Sequence, residues 1–127
     1  MYLDGAEQFL EAARLAAAEK LTRPANDSLF SACELIAKAH LLVVSHRAAL
    51  AKSHGPVGSA INQQARLGNI DNTFVAIYNA QSNVRPSARY IEGDVSLPEI
   101  GVFEAVQEQL MDLRVRLRIP KEAKTDL

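Results

Sequence analysis

Hydrophobic residues recur along this chain at three- and four-residue steps, interrupted by short polar or Pro/Gly-containing breaks, which is the period of amphipathic helices. Leu3, Ala6, Phe9, Leu10, Ala13, Ala16 and Ala17 trace a first stripe with Asp4 placed to cap it. That helix is expected to fade near Leu21, because Pro24 biases Arg23 away from helical backbone angles. Asn26, Asp27 and Ser28 offer caps for a second helix, whose buried stripe of Leu29, Phe30, Cys33, Ile36, Ala37, Leu41 and Val44 extends to about Leu50. After the turn Lys52-Ser53-His54-Gly55-Pro56, the positions Val57, Ala60, Ile61, Ala65 and Leu67 predict a short helix that Gly68 closes in the left-handed conformation. Asn69 or Asp71 caps the next helix, with Ile70, Phe74, Ile77, Tyr78, Gln81 and Val84 on its inner edge. Pro86 removes the bond to the Ser82 carbonyl, so this helix either kinks or ends near Arg85.

Ser96-Leu97-Pro98-Glu99 reads as a capping box, and Ile100, Phe103, Val106, Leu110, Leu113 and Leu117 continue at helical spacing until Pro120. Four principal helices and one short one, joined by short connections, predict an all-α antiparallel up-and-down bundle. The expected organisation is a single domain over residues 1–120 with a solvated tail over 121–127.

Composition narrows this picture without redirecting it. Ala and Leu dominate an apolar content of 48%, aromatics are 6% and there is no Trp, all of which suits closely packed helices. Fourteen basic against fifteen acidic residues lack the charge of a dedicated nucleic-acid binder, although a local basic patch is compatible with them. The single Cys33 cannot form an intramolecular disulfide. With no apolar leader behind a basic flank and no apolar run of spanning length, the expected location is cytoplasmic, with no membrane partner.

The reactive side chains supply few constellations. His40, His46 and His54 are not spaced three or four apart, there is no HExxH, and the Glu and Glu-x-x-His pattern of di-iron bundles is missing, so neither metal nor cofactor is expected. Gly55-Pro56-Val57-Gly58 lacks the Lys and Ser or Thr of a P-loop. Cys33 and His40 lie about two helical turns apart, too far for a thiolate–imidazole pair, and Cys33 reads as a core residue. Arg114, Arg116, Arg118, Lys121 and Lys124 gather where a helix dipole favours cations. Glu92 and Asp94 read as solvated loop carboxylates. Arg85 and Arg89 are four apart, so on a continuous helix both guanidinium groups share a face suited to a phosphate or a partner's carboxylate, with Tyr90 beside them.

The leading helix with Ala6-Glu7-Gln8-Phe9-Leu10-Glu11-Ala12-Ala13, the helix after Pro24-Ala25-Asn26-Asp27-Ser28-Leu29-Phe30, the turn Lys52-Ser53-His54-Gly55 and the segment Val84-Arg85-Pro86-Ser87-Ala88-Arg89-Tyr90 resemble, in that order, small stand-alone HEPN-domain proteins over roughly residues 5–118. The resemblance implies a helical bundle that forms homodimers. It also implies one of two activities: metal-independent cleavage of RNA by an Arg and a following His, or non-catalytic binding, in systems that pair a toxin with a nucleotidyltransferase-like antitoxin. Arg85 fits the Arg position, but no His follows it, and Arg89 stands where similar proteins often carry Asp. The expectation is therefore a non-catalytic interaction module that binds a protein partner, a nucleotide or RNA through Arg85, Arg89, Tyr90, Lys52 and His54. The alternatives are an endoribonuclease toxin, in which Arg85 holds the scissile phosphate while His54 or Tyr90 assists from a dimer partner, and a purely structural homodimer.

Overall fold

The computed structural model describes residues 2–44, 49, 54–90 and 96–125, with side chains throughout except those of residues 85–90 and 118–125. The described residues form five α-helices and contain no strand: α1 (Tyr2–Ala18), α2 (Thr22–Val43), α3 (His54–Arg66), α4 (Asn72–Tyr90) and α5 (Ile100–Thr125). Among the described residues, α2 lies at the centre and is the only helix that packs against all four others.

The α1–α2 connection shows how the sequence turns the chain. Lys20 adopts φ 59°, its N–H donates to the Ala17 carbonyl at 2.9 Å, and the Leu21 N–H donates to the Ala16 carbonyl at 2.8 Å. This is the paired bonding of a Schellman termination, here with Lys in the position that usually favours Gly. α2 then starts at Thr22, four residues before the expected caps, because Pro24 falls in the first turn, where a missing N–H costs nothing. Asn26 is consequently inside the helix and is not its cap. Pro56 sits in the first turn of α3 by the same logic, so α3 begins at His54, ahead of Val57. Gly68 terminates α3 at φ +81°, as its sequence position predicts, with the Asn69 N–H reaching the Gln64 carbonyl at 2.9 Å. Asp71 caps α4 by accepting the Thr73 N–H at 3.2 Å.

Of the two outcomes open at Pro86, α4 does not end there but continues to Tyr90, and α5, expected to stop at Pro120, continues to Thr125. Each Pro deprives one carbonyl of its helical partner, Ser82 in α4 and Arg116 in α5. At the start of α5 the capping box does not form. The helix begins at Ile100, and the Ser96 carbonyl accepts a bond from Asn26.

The core is aliphatic, with three rings at its centre. Leu10, Leu29, Phe30, Ile36, Leu41, Ile61, Phe74, Tyr78, Val106, Leu110 and Leu113 are buried, and Phe30 lies 5.4 Å from Tyr78 between ring centroids. Small residues let α1 and α2 approach closely: Ala6, Ala13, Ala25, Ala32 and Ala39 are buried, and a Cβ on Gly5 would lie 3.0 Å from Leu35 Cδ1. Several residues of the expected apolar stripes face outward instead. Phe9 is exposed because its neighbour Leu10, about 100° around the helix, takes the buried position, while Val44, Leu67, Ile100 and Leu117 lie at or towards helix ends. Among the described residues, no helix is long and apolar enough to cross a membrane.

Two polar connections cross this core. Asn26, 2% exposed, donates to the Thr22 and Ser96 carbonyls, both at 2.9 Å, while Gln81 Nε2 donates to Asn26 Oδ1 at 3.2 Å. The second connection runs through His40, 3% exposed and 5.6 Å from the Phe74 ring. Its Nε2 donates to Gln109 Oε1 at 3.1 Å, and Gln109 Nε2 donates to Asp71 Oδ2 at 3.1 Å. A carboxylate only accepts, so it fixes the Gln109 amide orientation and hence the proton on His40 Nε2. α5 is tied to α1 as well, because Arg114 pairs with Asp4 at 3.2 Å and with Glu7.

Candidate functional site

α3 and α4 are joined by a short connection and are in contact with each other. Asn62 and Asn79 exchange amide bonds across the gap, at 3.0 Å from Asn62 Nδ2 and 2.9 Å from Asn79 Nδ2. A groove of about 490 Å³ runs between the two helices, lined by His54, Gly55, Gly58, Ser59, Asn62 and Arg66 of α3 and by Tyr78, Asn79 and Ser82 of α4. Gly58 keeps it open where a larger side chain would meet Tyr78, since even a Cβ there would lie 3.6 Å from Tyr78 Cε1.

His54 stands at one end of this groove. α2 holds it from two successive turns: Phe30 packs edge-on at 5.7 Å and 76°, and Glu34 Oε2 accepts a bond from His54 Nδ1. The ring is half exposed, whereas Glu34 is mostly covered. Arg66 lies at the other end of α3, about 18 Å away along an axis that rises 1.5 Å per residue. The groove thus offers a cation at one end, an imidazole at the other, and carboxamides and hydroxyls between. Such a lining suits a polar, extended ligand better than an apolar one.

The expected site residues fall into three groups. His54 lines the groove. Arg85, Arg89 and Tyr90 lie on the continuous part of α4 beyond Ser82, which lines the groove. Lys52 lies outside the described residues, as do His46, Glu92 and Asp94.

Several other candidates are accounted for by packing. Cys33 is fully buried, and burial pushes its thiol up to about 12, which leaves no thiolate at neutral pH. His40 is held well inside the protein, and burial lowers its pKa below the ordinary 6.5. Of the terminal basic group, Arg114 is committed to α1 and Arg116 pairs with Asp112 at 3.1 Å. Glu34, Asn62, Asn79 and Arg66 were missed as site residues on sequence reading. Glu34 sits twenty residues from its partner and joins it only through the packing of α2 on α3, so no local spacing announces the pair. Comparison with protein-family models, with curated proteins and with solved structures finds no match to this chain.

Proposed function

We propose that this chain is a HEPN-like interaction module, built as an antiparallel up-and-down helical bundle, that binds RNA or a nucleotide-bearing partner without cleaving it. The observation that supports the reading is the polar α3–α4 groove with His54 on it, Arg85 following three residues after the lining residue Ser82 on the same helix. Guanidinium groups match phosphate oxygens, an imidazole can accept or donate a hydrogen bond, and the Asn and Ser side chains add neutral polar contacts. Arg66 extends the polar lining to the far end of α3. In this reading the module works as a homodimer in a toxin–antitoxin-like system opposite a nucleotidyltransferase-like partner, a setting supported by the order of motifs along the sequence. An apolar groove of about 580 Å³ between α1 and the start of α5, with Ile100 76% exposed on it, offers a surface for self-association.

A second reading, metal-independent RNA cleavage, is favoured by one contact. A His held by a carboxylate at its Nδ1 is arranged for proton transfer at its other nitrogen. One experiment addresses both readings: a labelled single-stranded oligoribonucleotide is titrated with the protein in chelator, followed by anisotropy and by gel. Binding of intact RNA that weakens in His54→Ala and Arg85→Ala supports the interaction module. Cleavage by wild type that disappears in Arg85→Ala moves the chain to the enzyme reading. Wild-type protein that neither binds nor cuts RNA overturns both, and leaves a protein partner or a structural dimer.

A further inference from the structure

We infer that Glu34 is a positioning residue for His54, setting which imidazole nitrogen is left to a ligand in the α3–α4 groove. Glu34 and Phe30 are one helical turn apart on α2, so a single face of that helix supplies both a carboxylate for Nδ1 and an aromatic edge for the ring. The carboxylate is acceptor-only, and the neutral imidazole must therefore carry its proton on Nδ1 to make this bond. Nε2 is then a bare acceptor, and it has no hydrogen-bond partner among the described residues. It takes a hydrogen-bond donor, the hydroxyl of a bound ligand or of water.

His40 shows the opposite arrangement in the same protein. There Nε2 carries the proton into the Gln109–Asp71 chain and the ring is buried, so it is closed to ligands. Two histidines with opposite tautomers thus serve opposite ends, one internal bracing and one presentation of a lone pair. Orientation by a carboxylate at the second ring nitrogen is how proteins generally fix a functional imidazole. Its consequence for ligand binding depends on the groove being the site proposed above, whereas the tautomer itself is readable on the free protein.

The test is long-range proton–nitrogen correlation NMR on the uniformly nitrogen-15-labelled full chain, at a pH where the imidazole is neutral. His54 is assigned by the signal that vanishes in His54→Gln. The expected wild-type pattern is a protonated Nδ1 and a bare Nε2. In Glu34→Ala the proton should redistribute toward Nε2. The near-isosteric Glu34→Gln, whose amide can either donate or accept, should show a mixture even if the alanine variant folds poorly. A wild-type His54 protonated on Nε2, or a tautomer unchanged in both variants, overturns the assignment. Oligoribonucleotide affinity is measured alongside and should fall about tenfold in Glu34→Gln with the melting temperature retained. Wild-type protein that shows the Nδ1–H form yet binds no oligonucleotide overturns the groove as an RNA site while leaving Glu34's positioning role in place. Unchanged affinity in a variant with an altered tautomer overturns the role of Nε2 in binding.

Discussion

Lys20 sits in a backbone conformation that side chains resist, at the point where α1 hands over to α2. A left-handed non-Gly residue costs roughly 1–2 kcal/mol, partly offset against Gly by the greater entropy that Gly loses on folding. Lys20→Gly should therefore stabilise the protein by about 0.5–1 kcal/mol, read as a higher denaturant midpoint with an unchanged slope. His40 gives a pH dependence. Burial lowers its folded pKa below 6.5, so the unfolded chain binds the extra proton first and stability falls as pH drops below about 6.5. Chemical unfolding at about pH 7 and about pH 5 should show this loss, reduced in His40→Asn, and an identical pH dependence in that variant would remove His40 as a cause. Asp4 acts in the same direction at lower pH, because the Arg114 guanidinium holds its carboxyl below the usual 3.8 and acid neutralises it. At this scale the sequence was partly legible. Gly68 announced its left-handed turn through residue type alone, whereas Lys20 occupies the same kind of position with nothing in its chemistry to reveal it.

Helices α2, α3 and α4 are governed by where each Pro falls relative to a helix start. Pro24 and Pro56 lie in first turns and are harmless there, while Pro86 lies inside α4 and leaves the Ser82 carbonyl without its helical donor. Pro86→Ala should strengthen the last turns of α4, raising global stability by up to about 1–2 kcal/mol and slowing amide exchange over residues 82–90. No change in exchange would show that these turns gain nothing from the restored bond. The N-terminus of α4 depends on Asp71, which caps it with one oxygen and receives Gln109 on the other. Asp71→Ala should cost about 1–2 kcal/mol, more than an exposed cap, because it also releases the Gln109–His40 chain. The helical stripes themselves were readable from apolar spacing. Two residues that look like caps, Asn26 and Ser96, are instead engaged by a distant part of the fold, the Asn26 side chain donating to the Ser96 carbonyl. Spacing cannot distinguish a local cap from a partner that lies seventy residues away.

Asn26, Gln81 and the Ser96 carbonyl bind α2, α4 and the approach to α5 into one body, and no apolar residue could replace that link without stranding its partners. Asn26→Leu should cost about 2–4 kcal/mol, with the loss of a side-chain cap alone predicting only about 1 kcal/mol, so equilibrium unfolding separates the two accounts. The groove was only half visible in the sequence for the same reason. His54 stands out by chemistry, but the Glu34 that holds it and the Asn62–Asn79 pair that links the helices become meaningful only once α2, α3 and α4 are packed. Packing is also unevenly distributed, since α1 engages α2 more extensively than any other two helices engage each other, across a seam of small residues and a connection of three residues. Contacts that join nearby parts of a chain close the shortest loops, so the α1–α2 hairpin is the unit whose assembly lags least behind chain collapse. During refolding, then, the α3–α4 groove should be the later arrival, taking shape on a preformed α1–α2 platform that already carries Phe30 and Glu34.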